Sequence, residues 1–312
     1  MTTHLYHHPI FQEHLTGPGH PERPDRLAAV DQALTHEAFQ NLIRIEAPIG
    51  PEEAILRAHP EVHLEAVRAA IPRDGSDELY RFDEDTVASA KSWEAAMRAV
   101  GAGVSAVDAV MNGEMDNAFI AARPPGHHAE RTKAMGFCFF NTAAIAALHA
   151  LDKHSAGRVA VIDFDVHHGN GTQDIAWDNP NFLYCSTHEM PLYPGTGAKN
   201  ETGAHGNIVN APLSAGDDGD AFRAAFNERV LPALVDFKPD LMIISAGFDA
   251  HHRDPLSNIN LVEEDFDWAT GKLLDVSGAV CGHRVVSFLE GGYDLIGLAA
   301  GTATHIRRMM EG

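Results

Sequence analysis

Eight short runs of apolar residues punctuate the chain: "HLYHH" at 4–8, "LIRIEA" at 42–47, "NAFIAA" at 117–122, "RVAVIDF" at 158–164, "NFLYCST" at 181–187, "NIVNAPL" at 207–213, "DLMIISAG" at 240–247 and "RVVSFLEGG" at 284–292. Most are near-continuous rather than alternating, the pattern of strands covered on both faces, and so of a parallel sheet between helices. The intervening stretches 23–38, 86–111, 141–153, 219–237, 262–277 and 296–310 predict those helices. Pro24 suits a helix start, Asn112-Gly113 suits a stop, and Pro232 predicts a bend in its helix. The β-α alternation predicts a three-layer α/β fold. No internal repeat, low-complexity tract or Pro/Ser-rich linker interrupts it, which predicts a single domain over residues 1–312.

In such a fold, ligands bind beyond the carboxyl ends of the strands, and four of the runs end there in polar residues. "VIDFDVHHGNGT" at 161–172 leaves an apolar run and sets down Asp163, Asp165 and His167 with no Lys or Arg among them. Buried carboxylates without partners cost several kcal/mol, so a metal ion is the expected partner. Period-2 spacing puts the three side chains on one face for as long as the strand persists. Asp165 and His167 are read as two ligands and Asp249, after the next long apolar run, as the third. Asp163 is either a ligand or a support behind them. One His and two Asp with open positions fit a catalytic divalent ion, zinc first and ferrous iron second. The plainer reading makes these Asp residues turn and capping groups.

The other two strand ends supply acid–base candidates. His127 and His128 follow "RPPG", a stiff turn, and neutral imidazole is the natural general base near pH 7. Two carboxylates offset the charge of a divalent ion, which then acidifies its water less than one held by neutral histidines would; a separate base is therefore needed. Tyr293, after Gly291 and Gly292, is placed to donate to a developing oxyanion. His7, His8, His59, His154, His251 and His252 are read as ordinary histidines.

The bulk numbers narrow the partners. The 312 residues carry 23 Lys and Arg against 44 Asp and Glu, a net charge of −21, which argues against nucleic acid and anionic membrane surfaces as partners. Cys138, Cys185 and Cys281 form no CxxC pattern, so a reducing compartment is expected and no disulfide framework. Cys138 and Cys185 are read as packing residues. No signal-peptide core and no membrane-spanning apolar stretch is visible, so the expected location is the cytoplasm.

The motifs "RPPGHHAE", "GFCFFN", "DFDVHHGNGTQ", "STHEMPLYPGTG", "SAGFDAH" and "LEGGYD", in this order, and "GPGHPERPDRL" at 17–27, together resemble the zinc-dependent histone deacetylase and acetylpolyamine amidohydrolase superfamily. The likeness is greater to its class II-like, bacterial-type branch. The resemblance implies an arginase-like α/β/α fold with about eight parallel strands. It implies zinc held by Asp165, His167 and Asp249, His128 as general base and later acid, and His127 as its electrostatic partner, bonded to Asp163. Asn170 falls where His128 finds its orienting partner. Class I relatives have Asp there, and an amide raises the pKa of His128 less than a carboxylate would. Phe137 and Tyr193 would wall a narrow tunnel with Gly136, Leu256, Gly291 and Gly292 along it, and Arg26 would sit in an internal channel below. Asp163, Asp165, His167, Ser186 and Thr187 match an inner K⁺ or Na⁺ site. Asp85 matches a rim carboxylate that grips the substrate backbone. Leu256 stands where a polyamine-selective relative has Glu.

The expected reaction is metal-assisted hydrolysis of an acyl amide, on an acyl-lysine peptide or an acylated small amine; oligomeric state stays open. Two rivals remain at this point. A dimanganese ureohydrolase would need a further carboxylate four residues beyond Asp165, where the chain has Gly169. A metal-stabilised binding module without catalysis would have no use for His127, His128 and Tyr293 together.

Overall fold

The computed structural model describes residues 1–312. Ten strands follow one another along the chain: β1 (Thr3–His7), β2 (Ile43–Glu46), β3 (Tyr80–Arg81), β4 (Val87–Ala88), β5 (Asn117–Ile120), β6 (Val159–Asp163), β7 (Phe182–Glu189), β8 (Ile208–Leu213), β9 (Leu241–Ala246) and β10 (Val285–Leu289). The helices are α1 (Asp25–Ala33), α2 (Glu52–Ile55), α3 (Glu61–Ala70), α4 (Ser92–Met111), α5 (Thr142–Lys153), α6 (Asn170–Ala176), α7 (Gly219–Ala225), α8 (Leu231–Phe237), α9 (Glu263–Cys281) and α10 (Leu295–Glu311).

Eight strands form one sheet in the order β2-β1-β5-β10-β9-β6-β7-β8, and every pairing in it is parallel. All eight predicted runs are strands of this sheet. The continuous apolar runs of β5, β6, β9 and β10 are buried along their whole length, as covered central strands must be. Edge strand β2, whose residues alternate in polarity, is largely exposed. One contiguous core cluster takes in 83 buried hydrophobic residues.

The sheet order positions the site. The chain goes from β5 to β6, continues outward through β7 and β8, and only later returns to fill the gap with β9 and β10. The four strands with polar ends are therefore neighbours, and their carboxyl ends open onto one crevice at the switch in strand order.

The helices depart from expectation in three places. The helix predicted over 86–111 starts at Ser92, because β4 pairs antiparallel with β3 in a small hairpin. The segment 219–237 is α7 and α8 joined by a π-helical turn at Phe226–Val230. Pro232 follows that turn directly as the second residue of α8, where a missing backbone N–H is tolerated. Helices α2, α3 and α6 were not predicted. No helix is long and apolar enough to cross a membrane. All three cysteines are buried and free.

Candidate active site

Strand β6 ends at Asp163, so strand periodicity is not what gathers Asp165 and His167. Beyond the strand the chain folds through carboxylate–backbone bonds. Asp163 Oδ1 accepts from Asp165 N–H (3.1 Å), Asp165 Oδ1 from His167 N–H (2.9 Å), and Asp249 Oδ1 from Val166 N–H (2.8 Å). These contacts bring His167 Nδ1 within 3.2 Å of Asp165 Oδ1 and 3.0 Å of Asp249 Oδ2. The ligand atoms of Asp165, His167 and Asp249 all lie within 4.8 Å of one another, and all three residues are buried.

This trio fits a cation. Burial raises the Asp249 carboxyl to about 7, with the neighbouring Asp165 charge adding to it, despite the nearby imidazole. Burial opposes charge on His167 too, yet the two carboxylates hold its pKa up at about 10. Two carboxylates enclosed this closely need a positive partner, and the one-His, two-Asp donor set suits a divalent ion with open positions.

The histidine pair stands beside it. Glu290, buried, accepts from the N–H groups of Gly126 (2.7 Å) and His127 (3.2 Å) and from Ser245 Oγ (3.0 Å), which anchors the backbone of the pair to β9 and β10. Burial, with the Asp163 charge adding to it, pushes its carboxyl up to about 7. His127 Nδ1 donates to Asp163 Oδ2 (3.0 Å), which also accepts from Tyr184 O–H (3.0 Å). Burial disfavours charge on His127, but Asp163, Asp165 and Glu290 outweigh it, and its pKa is well above the ordinary value.

His128 is biased the opposite way. Burial, then the charges of His127 and His167, hold it well below the ordinary imidazole value. Its Nδ1 lies 2.8 Å from Asn170 Oδ1. The amide orientation is set from behind, where Asn170 Nδ2 donates to Glu130 Oε1 (2.7 Å). Asn170 therefore presents its oxygen, His128 carries its proton on Nδ1, and Nε2 is left as a bare acceptor.

A cavity of about 290 Å³ reaches this floor, lined by Pro21, Asp85, His128, Gly136, Phe137, His167, Leu192, Tyr193, Leu256 and Tyr293. Phe137 stands edge-on to Tyr293, with ring centroids 5.8 Å apart, and Tyr193 edge-on to His128 at 5.1 Å. Gly136 has φ +56°, and a Cβ there would come within 2.4 Å of the His128 ring. Asp85 is at the mouth, its carbonyl accepting from His20 Nε2 (2.8 Å). Gly291 and Gly292 are buried and are not among the residues lining the cavity; Gly291 packs directly against the carboxylates of Asp165 and Asp249, and its N–H donates to Asp165 Oδ2 (2.7 Å).

Arg26 is wholly buried. It donates to Gly292 O (2.6 Å) and to Glu290 O, and its guanidinium lies 5.0 Å from the centre of the Tyr293 ring. Burial raises the Tyr293 phenol well above its usual value, so it stays a donor. Glu22 lies between Arg26 and Arg123 and holds both in place. Asp163 and Ser186 are register partners across β6 and β7, and the buried Thr187 hydroxyl next to Ser186 has no hydrogen-bond partner.

Glu22, Glu130, Glu290, Tyr184, Pro21 and Leu192 were missed from sequence. All but Tyr184 sit inside motifs already singled out: Pro21 and Glu22 in "GPGHPERPDRL", Glu130 in "RPPGHHAE", Leu192 in "STHEMPLYPGTG" and Glu290 in "LEGGYD". Gly169 has no room for a side chain: a Cβ there would lie 2.3 Å from Asp163 Oδ2 and 2.6 Å from the Tyr184 hydroxyl.

The family described as Histone deacetylase domain matches residues 20–309. A "Histone deacetylase-like amidohydrolase" of Pseudomonas aeruginosa is 37% identical over 88% of this chain and 73% of its own. A "Probable deacetylase" of Archaeoglobus fulgidus is 34% identical over 100% of this chain and 87% of its own. The crystal structure of the HDA15 HD domain superposes with a TM-score of 0.93 at 35% identity, covering 100% of this chain and 89% of that one.

Proposed function

The chain belongs to the histone deacetylase family, and from that premise we propose that it is a zinc-dependent amidohydrolase that removes acetyl or other acyl groups from lysine side chains. Asp165, His167 and Asp249 would hold the ion. Zinc bound there supplies Lewis acidity towards a water and the acyl carbonyl.

The chain's own residues do the rest. His128 Nε2 takes a proton from the attacking water as the C–O bond forms, and delivers a proton to the amine as the C–N bond breaks. His127, held by Asp163, keeps positive charge beside it. The Tyr293 hydroxyl donates to the carbonyl oxygen as it gains charge. Phe137 and Tyr193 flank the aliphatic linker and keep water from it, and Asp85 at the mouth is the acceptor for a substrate backbone. Asp163, Asp165, His167, Ser186 and Thr187 would bind K⁺ or Na⁺ beneath; the partnerless Thr187 hydroxyl supports this.

One observation carries the reading: His128 is held in the tautomer a base requires, facing the same cavity as His167 and Tyr293. The uncharged Leu256 in the cavity wall favours acyl-lysine over an acylated polyamine, which would keep cationic nitrogens near that wall. The filled space at Gly169 disfavours a dimanganese site. A panel of acetyl-lysine peptides, acetylpolyamines and longer acyl-lysines with zinc-replete protein tests this. Acetyl-lysine peptides are expected to turn over fastest; no turnover on any substrate would overturn the reading, and a preference for acetylpolyamines would overturn the substrate assignment.

A further inference from the structure

A second group of side chains of metal-ligating type lies where α4 and α5 end. Both helices lead into the amino ends of strands, α4 into β5 and α5 into β6, so this group is at the sheet edge opposite the catalytic rim. Asp108 is in the last turn of α4. His149 is in α5, and His154 is the residue that ends it, with φ −106° and ψ 7°. Five residues apart on a continuous helix, the two histidines would face different ways. The end of the helix lets His154 turn back.

Nε2 of His149 and Nε2 of His154 each lie 2.6 Å from the same oxygen, Asp108 Oδ1. The three donor atoms lie within 4.8 Å of one another. The cations nearby in sequence and space, Arg57 and Lys153, both pair with Asp152, so Asp108 is left to the two imidazoles. The His149 side chain is 8% exposed, His154 15% and Asp108 46%, so solvent reaches the group from one side.

We propose that Asp108, His149 and His154 form a second divalent-metal site, of the zinc class, that fastens α4 to α5. Two imidazole nitrogens and one carboxylate are a three-ligand set for zinc, with a water as the fourth ligand. Bonds of about 2.0–2.2 Å to the ion spread such donors to roughly 3.3 Å apart. That is a small expansion from the present 2.6 Å contacts, and it falls on a half-exposed Asp and a helix-end His. The site does not depend on the catalytic reading.

Zinc bound per chain after dialysis against free Zn²⁺ tests the proposal, on wild type, His154→Ala and Asp108→Asn. Wild type should hold one ion more than either variant, two against one if the catalytic trio is also filled and one against none if it is not. Zinc should raise the Tm of wild type more than that of the variants, and deacylation by the zinc-replete variants should match wild type. Equal zinc counts in all three proteins would overturn the site. Should a variant fail to fold, anomalous diffraction at the zinc edge on wild-type crystals decides: a peak among the three side chains supports the site, and none there refutes it.

Discussion

His128 Nδ1 and Asn170 Oδ1 are 2.8 Å apart, and Asn170 is turned to make that contact by Glu130. An amide in this position orients the imidazole without adding charge. Replacing it with a carboxylate should stabilise the imidazolium. Asn170→Asp is expected to stay active but to move the acid limb of the kcat/KM–pH profile to higher pH. Asn170→Ala should lose about 10²-fold in kcat, at the low end of what general acid–base catalysis contributes. An unmoved acid limb in Asn170→Asp would show that His128 is not the titrating base.

Glu130 acts only through Asn170. Glu130→Ala frees the amide to turn its NH₂ towards His128, which disfavours the productive tautomer; kcat should fall about tenfold, a fraction of the general-base contribution. A carboxylate at 170 has no amide to misplace, so Glu130→Ala should cost little in the Asn170→Asp background. Equal losses in both backgrounds would mean that Glu130 works by another route.

Tyr293 is positioned by its turn and by the Arg26 guanidinium stacked at 5.0 Å. Tyr293→Phe keeps the ring and removes the donor. The expected loss is about 10²–10³ in kcat, the usual cost of one oxyanion donor, with KM little changed because the interaction forms only as charge develops. Steady-state kinetics on an acetyl-lysine peptide check both numbers.

His305 sets an acid limit on stability. It is buried between Thr270 Oγ1 (2.7 Å) and Ser287 Oγ (2.9 Å), and burial lowers its pKa to about 3 from 6.5. Between those values the unfolded chain binds a proton that the native chain refuses. Its contribution is therefore whole above pH 6.5 and is lost as pH falls towards 3, at up to about 1.4 kcal/mol per pH unit. Urea unfolding at pH 7 and pH 5 should show a smaller loss in His305→Gln than in wild type, even though the variant starts less stable.

The sheet was legible because buried parallel strands need continuous apolar runs, and polar residues ending such runs stand out. Asp165, His167, Asp249, His127, His128 and Tyr293 were visible for that reason, and their convergence follows from β5, β10, β9 and β6 being neighbours. Period-2 spacing singled out Asp163, Asp165 and His167 as facing one way, but strand geometry is not what gathers them, since the strand ends at Asp163 and hydrogen bonds to carboxylates complete the gathering. Most supporting groups lay inside visible motifs, but what they do there was illegible because their partners are far away in sequence. Glu290 meets Gly126 across 164 positions and Arg123 meets Glu22 across 101. Helix α6 was hidden by its composition: "NGTQDIA" has no apolar stripe, and its residues are held by the site around them.

The central claim is hydrolysis by a metal held between Asp165, His167 and Asp249. Turnover of an acetyl-lysine peptide, followed through chelation and then re-addition of zinc, in wild type and in Asp249→Asn, tests it most directly. Activity should vanish on chelation, return with zinc in wild type, and stay absent in the variant. Activity that survives complete removal of metal, or that zinc restores fully in Asp249→Asn, would contradict the account.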